Sequence, residues 1–468
     1  MRLGGPQWLR TSLVAAAVVL LLACACWLAW RQGPARPLHA DEAGQWSLMV
    51  ENQPHSQTQD RFHGPALGLV ARAGLTVLGI DPSDASEGAL RAVPLLFACT
   101  LFLASFVRRH RSSVLLGFLA IAPCARFIQE PILAVSLVWT ALFWLREDEV
   151  EARHLWRVRL AAGAAAGLAL ACKVTAALYL GVATLCYLWL RRGQPSRGGR
   201  TVFWASMLVF WAYWQSTFFT DCRALATWWL QLGRAFGMAA GVSGEPLTLV
   251  SPWPWAVSVV LLGAAILGRW RRLGELPWGR HRLDPLLLAS VAVVLLHLAL
   301  PYKTPWLLMT VDMLVLFVLL PELLVDDLCR GLDEGAWRLA QGLLLVAISL
   351  GAFRWVSAER YAYVETSPVV RTVTRAIRGA PASSAWLIQV NGDNCWPLPY
   401  YLRGLRVGYG VFAGSDAADV RWIEATGSEA PAVPGFRAFP VEMRAGELWW
   451  VLARGPAADA IDASLRTR

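Results

Sequence analysis

Lysine is nearly absent from this chain of 468 residues: of its 43 Lys and Arg side chains only Lys173 and Lys303 are lysines. Charge of either sign is scarce as well. Charged residues make up 16% and hydrophobic ones 56%, whereas a soluble domain is nearer a quarter charged. A soluble globular protein is therefore excluded, and a polytopic membrane protein is left. The nine cysteines include no C-x-x-C pair and no His/Cys cluster at zinc spacing, which excludes the usual zinc and redox motifs. Most of them sit in apolar runs, where cysteine acts as a small hydrophobe. Cys222 and Cys395 fall in segments placed outside the membrane below, so a disulfide between them stays open. No internal repeat or low-complexity tract interrupts the chain.

What is present is a succession of apolar stretches near twenty residues long, each matched to the hydrocarbon thickness. Spanning helices are predicted near 10–30, 88–107, 113–127, 131–146, 158–174, 175–190, 201–219, 253–268, 286–301, 304–321 and 337–353. Leu13–Trp30 is too long for a signal-peptide core and is read as an uncleaved first helix. The net charge of +10 resides mainly in short arginine-rich loops, the signature of cytoplasmic loops. Arg108, Arg109 and Arg111 mark one; Arg146, Arg153, Arg157 and Arg159 a second; Arg191, Arg192, Arg197 and Arg200 a third; Arg269, Arg271, Arg272, Arg280 and Arg282 a fourth. The acidic loop 322–336 and Arg31 and Arg36 run against the pattern. Acidic lipid headgroups suit these loops, and nucleic acid is not an expected partner. The N-terminus is then cytoplasmic and the region after 353 extracytoplasmic. The fold class expected is an all-α polytopic membrane protein of about eleven helices, 1–353, with a first outer loop at 31–87. A small α/β domain follows at 354–468, with strands near Trp386–Val390 and Leu448–Leu452. Within the loop, 64–80 is amphipathic and reads as an interfacial helix.

The same alternation collects the rare charges on the outer face. Asp41 and Glu42 follow the first apolar segment, a costly place for carboxylates and hence a candidate site. Arg126 and Glu130 share a second outer turn, and Lys173 and Lys303 lie at outer helix ends. Arg126 and Glu130 form either an ion pair that holds helices together or a second wall of the pocket. His63, before Gly64-Pro65, either caps a turn, positions an acceptor or binds a metal. Trp396, Tyr401 and Arg403 suit sugar stacking and phosphate contact, or a domain core. Carboxylates at 41, 42 and 130 with cations at 126, 173 and 303 meet the needs of sugar transfer from a lipid phosphate. A phosphate leaves as a stable anion, so the reaction needs a base and cations but no general acid.

Several stretches resemble the GT-C superfamily of multi-pass glycosyltransferases, and more narrowly its flippase-activity-associated, dolichyl-phosphate-mannose-protein mannosyltransferase-like group. They are Asp41-Glu42, Phe62-His63-Gly64-Pro65, Arg126-Phe127-Ile128, Cys172-Lys173-Val174-Thr175-Ala176, Tyr302-Lys303-Thr304-Pro305-Trp306-Leu307, Tyr363-Val364-Glu365-Thr366-Ser367-Pro368, and Asn394-Cys395-Trp396-Pro397-Leu398-Pro399-Tyr400-Tyr401-Leu402-Arg403. The resemblance implies an inverting hexosyl or mannosyl transfer at the outer face of the plasma (inner) membrane. The donor is a polyprenyl-phosphate sugar and the acceptor a hydroxyl on a glycan, lipid or protein. Asp41 is then the base and Glu42 its neighbour or a metal-side ligand. Glu130 offers a second carboxylate, Arg126, Lys173 and Lys303 hold the donor phosphate, and His63, Trp306, Trp396, Tyr401 and Arg403 meet acceptor or sugar. No cofactor is fixed by these residues; a divalent metal, Mg or Mn on Asp41 and Glu42, stays open. Gln45, Gln129-Glu130-Pro131 and Val174 depart from the pattern, at positions where the group tends to carry histidine, Arg-Asn-Asp and glutamate. A lipid-linked-sugar flippase or an accessory protein is the alternative.

Overall fold

The structure is a computed structural model that describes residues 37–51, 63–102, 127–147, 149–190, 200–239, 253–274, 276–278, 281–299, 308–320, 322–323, 366–381, 383–392, 395–410, 417–425, 427–444 and 447–467. The described residues fall into two compact units. The larger is drawn from within 52–81 and 89–358, the smaller from within 31–51, 82–88 and 359–468. Of the loop read from sequence as 31–87, residues 37–51 and 82–87 group with the C-terminal residues. The Leu38 amide donates to the Tyr401 hydroxyl, which donates to Glu87, and these bonds tie the segments together.

Helix α1, Ala40–Glu51, belongs to the smaller unit. The larger unit begins with α2, Ala66–Val77, inside the amphipathic stretch predicted at 64–80. Next comes α3, Glu87–Cys99, whose first residues belong to the smaller unit. Then follow α4 (Gln129–Arg146), α5 (Leu155–Cys172), α6 (Thr175–Leu190) and α7 (Thr201–Gln215). The last are α8 (Arg223–Ala239), α9 (Trp253–Leu273), α10 (Leu283–Ala299) and α11 (Met309–Leu314), the last running into a π turn at Val315–Leu319. Helix α8 has no counterpart among the predicted spans. The predicted helices at 10–30 and 337–353, and 113–127 apart from its last residue, lie outside the described residues. Among the described residues, Ala152–Cys172 is the one helix both long and apolar enough to cross a membrane. Shorter apolar helices run over Ala66–Val77, Thr175–Leu190, Ser258–Trp270, Leu283–Ala299 and Met309–Leu319.

Close backbone approach holds α5 against α7. A Cβ on Gly163 would lie 1.8 Å from Ser206 Oγ, and one on Gly167 would lie 2.6 Å from the Met207 carbonyl oxygen. Glycines four apart on one helix face permit this contact between membrane helices. Helix α4 is buried on nearly all sides, as expected of a central helix apolar all round. The start of α10 is tied to α9 by a buried pair, Arg269 Nε to Asp284 Oδ1 at 2.9 Å.

In the smaller unit, Ser367 caps α12 (Pro368–Gly379), its hydroxyl accepting the Val369 amide, with Pro368 in the first turn; both residue types suit those positions. A five-stranded sheet follows, built from β1 (Leu387–Asn391), β2 (Arg406–Tyr409), β3 (Val420–Glu424), β4 (Arg437–Arg444) and β5 (Glu447–Ala453). Short helix α13 (Leu398–Tyr401) connects β1 to β2, and α14 (Gly455–Arg466) closes the chain. Strand order is β2-β1-β3-β5-β4, with β1 parallel to both neighbours and β5 antiparallel to both of its own. Trp422, Trp449 and Val451 are fully buried in its core. Both predicted strand runs are thus strands, β1 and β5. Neither Cys222 nor Cys395 is in a disulfide.

Candidate functional site

The acidic pair divides at the first turn of α1. His39 precedes the helix; its backbone amide donates to Glu42 Oε2 at 2.9 Å, and its ring Nδ1 accepts the Asp41 amide at 3.0 Å. This is a capping box with histidine in place of the usual Ser or Thr, and Glu42 is its returning carboxylate. Glu42 is completely buried. Asp41 points the other way, with its side chain 41% exposed and Oδ2 3.7 Å from His39 Nδ1. That ring nitrogen already accepts a hydrogen bond, so it carries no proton to offer the carboxylate. Asp41 is thus the carboxylate of this turn open to a ligand.

The backbone just ahead of the pair is clamped. The Leu38 amide donates to the Tyr401 hydroxyl at 2.6 Å, and Thr366 Oγ1 donates to the Leu38 carbonyl at 2.7 Å. Tyr401 Oη in turn donates to Glu87 Oε1 at 3.0 Å, while Glu87 Oε2 pairs with Arg371. Burial first, and then the Glu87 carboxylate, push the Tyr401 phenol well above its ordinary range, so it remains a donor. Tyr401 is 6% exposed, and its hydroxyl supports the acid turn through these bonds. Arg403 lies over the Tyr400 ring at 4.0 Å and donates to the Tyr400 carbonyl. Tyr400 meets Trp46 of α1 edge-on at 5.1 Å. Trp396 is half-buried, and its carbonyl accepts from Arg444.

In the larger unit, His63, Glu130 and Lys173 come together. Lys173 sits between α5 and α6 with extended backbone, at the break expected from sequence, and pairs as an antiparallel bridge with His63. Its Nζ is 2.5 Å from Glu130 Oε1, and both side chains are buried. His63 also acts on Glu130 electrostatically. Gly64 makes the approach feasible: its amide donates to the Cys172 carbonyl, and a Cβ there would lie 1.8 Å from the Ala171 carbonyl oxygen. Gln129 Nε2 donates to the Gly64 carbonyl at 2.8 Å, so this departure from the family pattern holds the turn. Val174 is buried and apolar, and Gln45 is buried in α1. Glu130 thus has Lys173 as a partner. Arg126, Lys303 and Trp306 lie outside the described residues.

Among the described residues, no three His, Cys, Asp or Glu side chains form a metal-binding group, and one Glu42 oxygen is engaged by the His39 amide. Sequence reasoning missed Glu87 and Arg371, which carry no local signal. Thr366 lay within a quoted stretch without being singled out.

No protein-family model and no curated protein matches the chain. Solved structures do match it in fold. One is ArnT from Cupriavidus metallidurans bound to undecaprenyl phosphate, with a TM-score of 0.62 at 12% identity, covering 94% of this chain and 98% of that one. The apo state of the same protein matches with a TM-score of 0.54 at 12% identity and equal coverage. The archaeal oligosaccharyltransferase AglB from Archaeoglobus fulgidus, in complex with an inhibitory peptide and a dolichol-phosphate, matches with a TM-score of 0.50 at 11% identity, covering 89% of this chain and 70% of that one. The chain therefore has the GT-C fold, the fold of these polytopic membrane glycosyltransferases.

Proposed function

We propose that this chain, on its GT-C fold, is an integral membrane glycosyltransferase that moves a sugar from a polyprenyl-phosphate carrier to an acceptor hydroxyl. Asp41 is the base. It takes the hydroxyl proton as the acceptor oxygen attacks the anomeric carbon. The bond from that carbon to the phosphate oxygen breaks, and the polyprenyl phosphate leaves with the electron pair. Attack and departure on opposite faces invert the centre. Because the leaving group is a stable anion, no second carboxyl has to protonate it, unlike glycoside hydrolysis. Glu42 acts through the backbone, by holding the turn. Lys173 already faces Glu130, so Arg126 and Lys303 are the principal cations for the phosphate, and Lys173 adds to them. A hexosyl donor, an outer-face site, a cytoplasmic N-terminus and an extracytoplasmic C-terminal domain complete the reading.

The observation that carries it is one exposed carboxylate on a clamped helix start, in a fold shared with a protein solved with undecaprenyl phosphate. A transfer assay with polyprenyl-phosphate sugars tests it. Asp41→Asn should lower kcat by about 10²–10⁴-fold, the contribution of a positioned base. Undiminished transfer by Asp41→Asn sinks the base assignment. Sugar-lipid flipping without transfer by the parent protein supports a carrier instead.

A further inference from the structure

A cationic cluster lies at the opposite end of the larger unit's helices from the Lys173–Glu130 pair. There a cavity of about 500 Å³ is lined by Arg159 near the start of α5, Arg200 just before α7 and Arg282 just before α10. Glu147, the one carboxylate among the described residues of the lining, pairs with Arg159 at 3.3 Å. Arg200 bonds to the Tyr187 hydroxyl and lies 4.7 Å over its ring, and Arg282 donates to the Trp144 carbonyl at 3.1 Å. Arg159 and Lys173 stand fourteen residues apart in the sequence, about 21 Å at 1.5 Å per helical residue. The three arginines are therefore separate from the Lys173–Glu130 pair.

From the arginines the lining turns apolar and ends at Tyr179, Val293 and Thr310. Tyr187 to Tyr179 on α6, and Pro285 to Val293 on α10, each span about 12 Å. One leaflet of a bilayer offers about 15 Å of hydrocarbon depth, half of about 30 Å. The cavity therefore matches the acyl chain of one leaflet lipid and is short for a long polyprenyl tail. Among the described residues of the lining, three guanidinium groups stand against one carboxylate at this end, a balance that suits an anion, and guanidinium matches a phosphate geometrically.

We propose that this cavity binds an anionic phospholipid of the bilayer, its phosphate held among Arg159, Arg200 and Arg282 and one acyl chain running towards Tyr179. The proposal requires the chain to sit in a bilayer, not that it transfer sugar. It is tested on the purified full chain in detergent by native mass spectrometry, with dioleoyl phosphatidylglycerol, dioleoyl phosphatidylcholine and undecaprenyl phosphate as probes. Phosphatidylglycerol should be retained about 30-fold more tightly than phosphatidylcholine, the factor that two net basic groups yield at about 1 kcal/mol each. The preference should fall to near unity in Arg200→Ala/Arg282→Ala. Equal retention of the two phospholipids by the parent protein overturns the proposal, whatever the fate of the variant. So does a preference that survives in the folded variant, or a loss of undecaprenyl phosphate retention in that variant that exceeds the loss of phosphatidylglycerol. Sugar transfer is not part of the readout, so failure here leaves the enzymatic reading standing.

Discussion

Asp41 and Glu42 are adjacent carboxylates with opposite fates. Glu42 is completely buried and returns to the His39 amide, whereas Asp41 is exposed. Glu42→Gln keeps an acceptor at the same place, so it should affect transfer far less than Asp41→Asn. The pair Lys173–Glu130 makes a second residue-scale prediction. Removing one partner of a buried ion pair leaves an uncompensated charge, at a cost of about 3–5 kcal/mol. Lys173→Met should therefore lower the melting midpoint markedly, and Lys173→Met/Glu130→Gln should regain much of it. A double variant no more stable than the single one speaks against a structural pair. Transfer kinetics of that double variant report separately on Lys173 at the phosphate, through KM for the donor.

At the scale of elements, the seam between α5 and α7 depends on Gly163 and Gly167. A Cβ on Gly167 meets backbone atoms, Met207 O at 2.6 Å and Trp211 N at 2.7 Å, and backbone cannot rotate away as a side chain tip can. Gly167→Leu should force the helices apart and destabilise the protein by about 1–3 kcal/mol or more, read as a lower midpoint in a thermal melt. An unchanged midpoint counts against close packing there. Apolar runs announced α4 to α7 and α10 with their ends within a few residues, and weak turn signals put the break between α5 and α6 at 174/175. Helix α8 was not visible, since its charges and exposed Trp229, Leu230 and Phe236 match neither a span nor an ordinary loop.

Across the whole molecule, the proposed orientation puts Cys222 and Cys395 on the outer side. Cys222 is exposed, so a membrane-impermeant maleimide added to sealed spheroplasts should label it. Burial pushes the Cys395 thiol up, so at a given pH less of it is thiolate, and it should react more slowly, with a rate that rises towards alkaline pH. Labelling of Cys222 only after permeabilisation reverses the orientation and with it the outer-face site.

By itself, the sequence determined that the chain is a membrane protein, where most apolar helices run, which charges are rare enough to matter, and that β1 and β5 are strands. These are properties of composition and local period, readable within a window of twenty residues. Which carboxylate stays open, what Lys173 faces and what holds the acid turn were decided by the tertiary structure. The partners are far apart in the chain: Leu38 and Tyr401 are separated by 363 residues, and Glu130 and Lys173 by 43. Burial of Glu42 and Tyr401 follows from packing against those distant segments, and no local pattern encodes it.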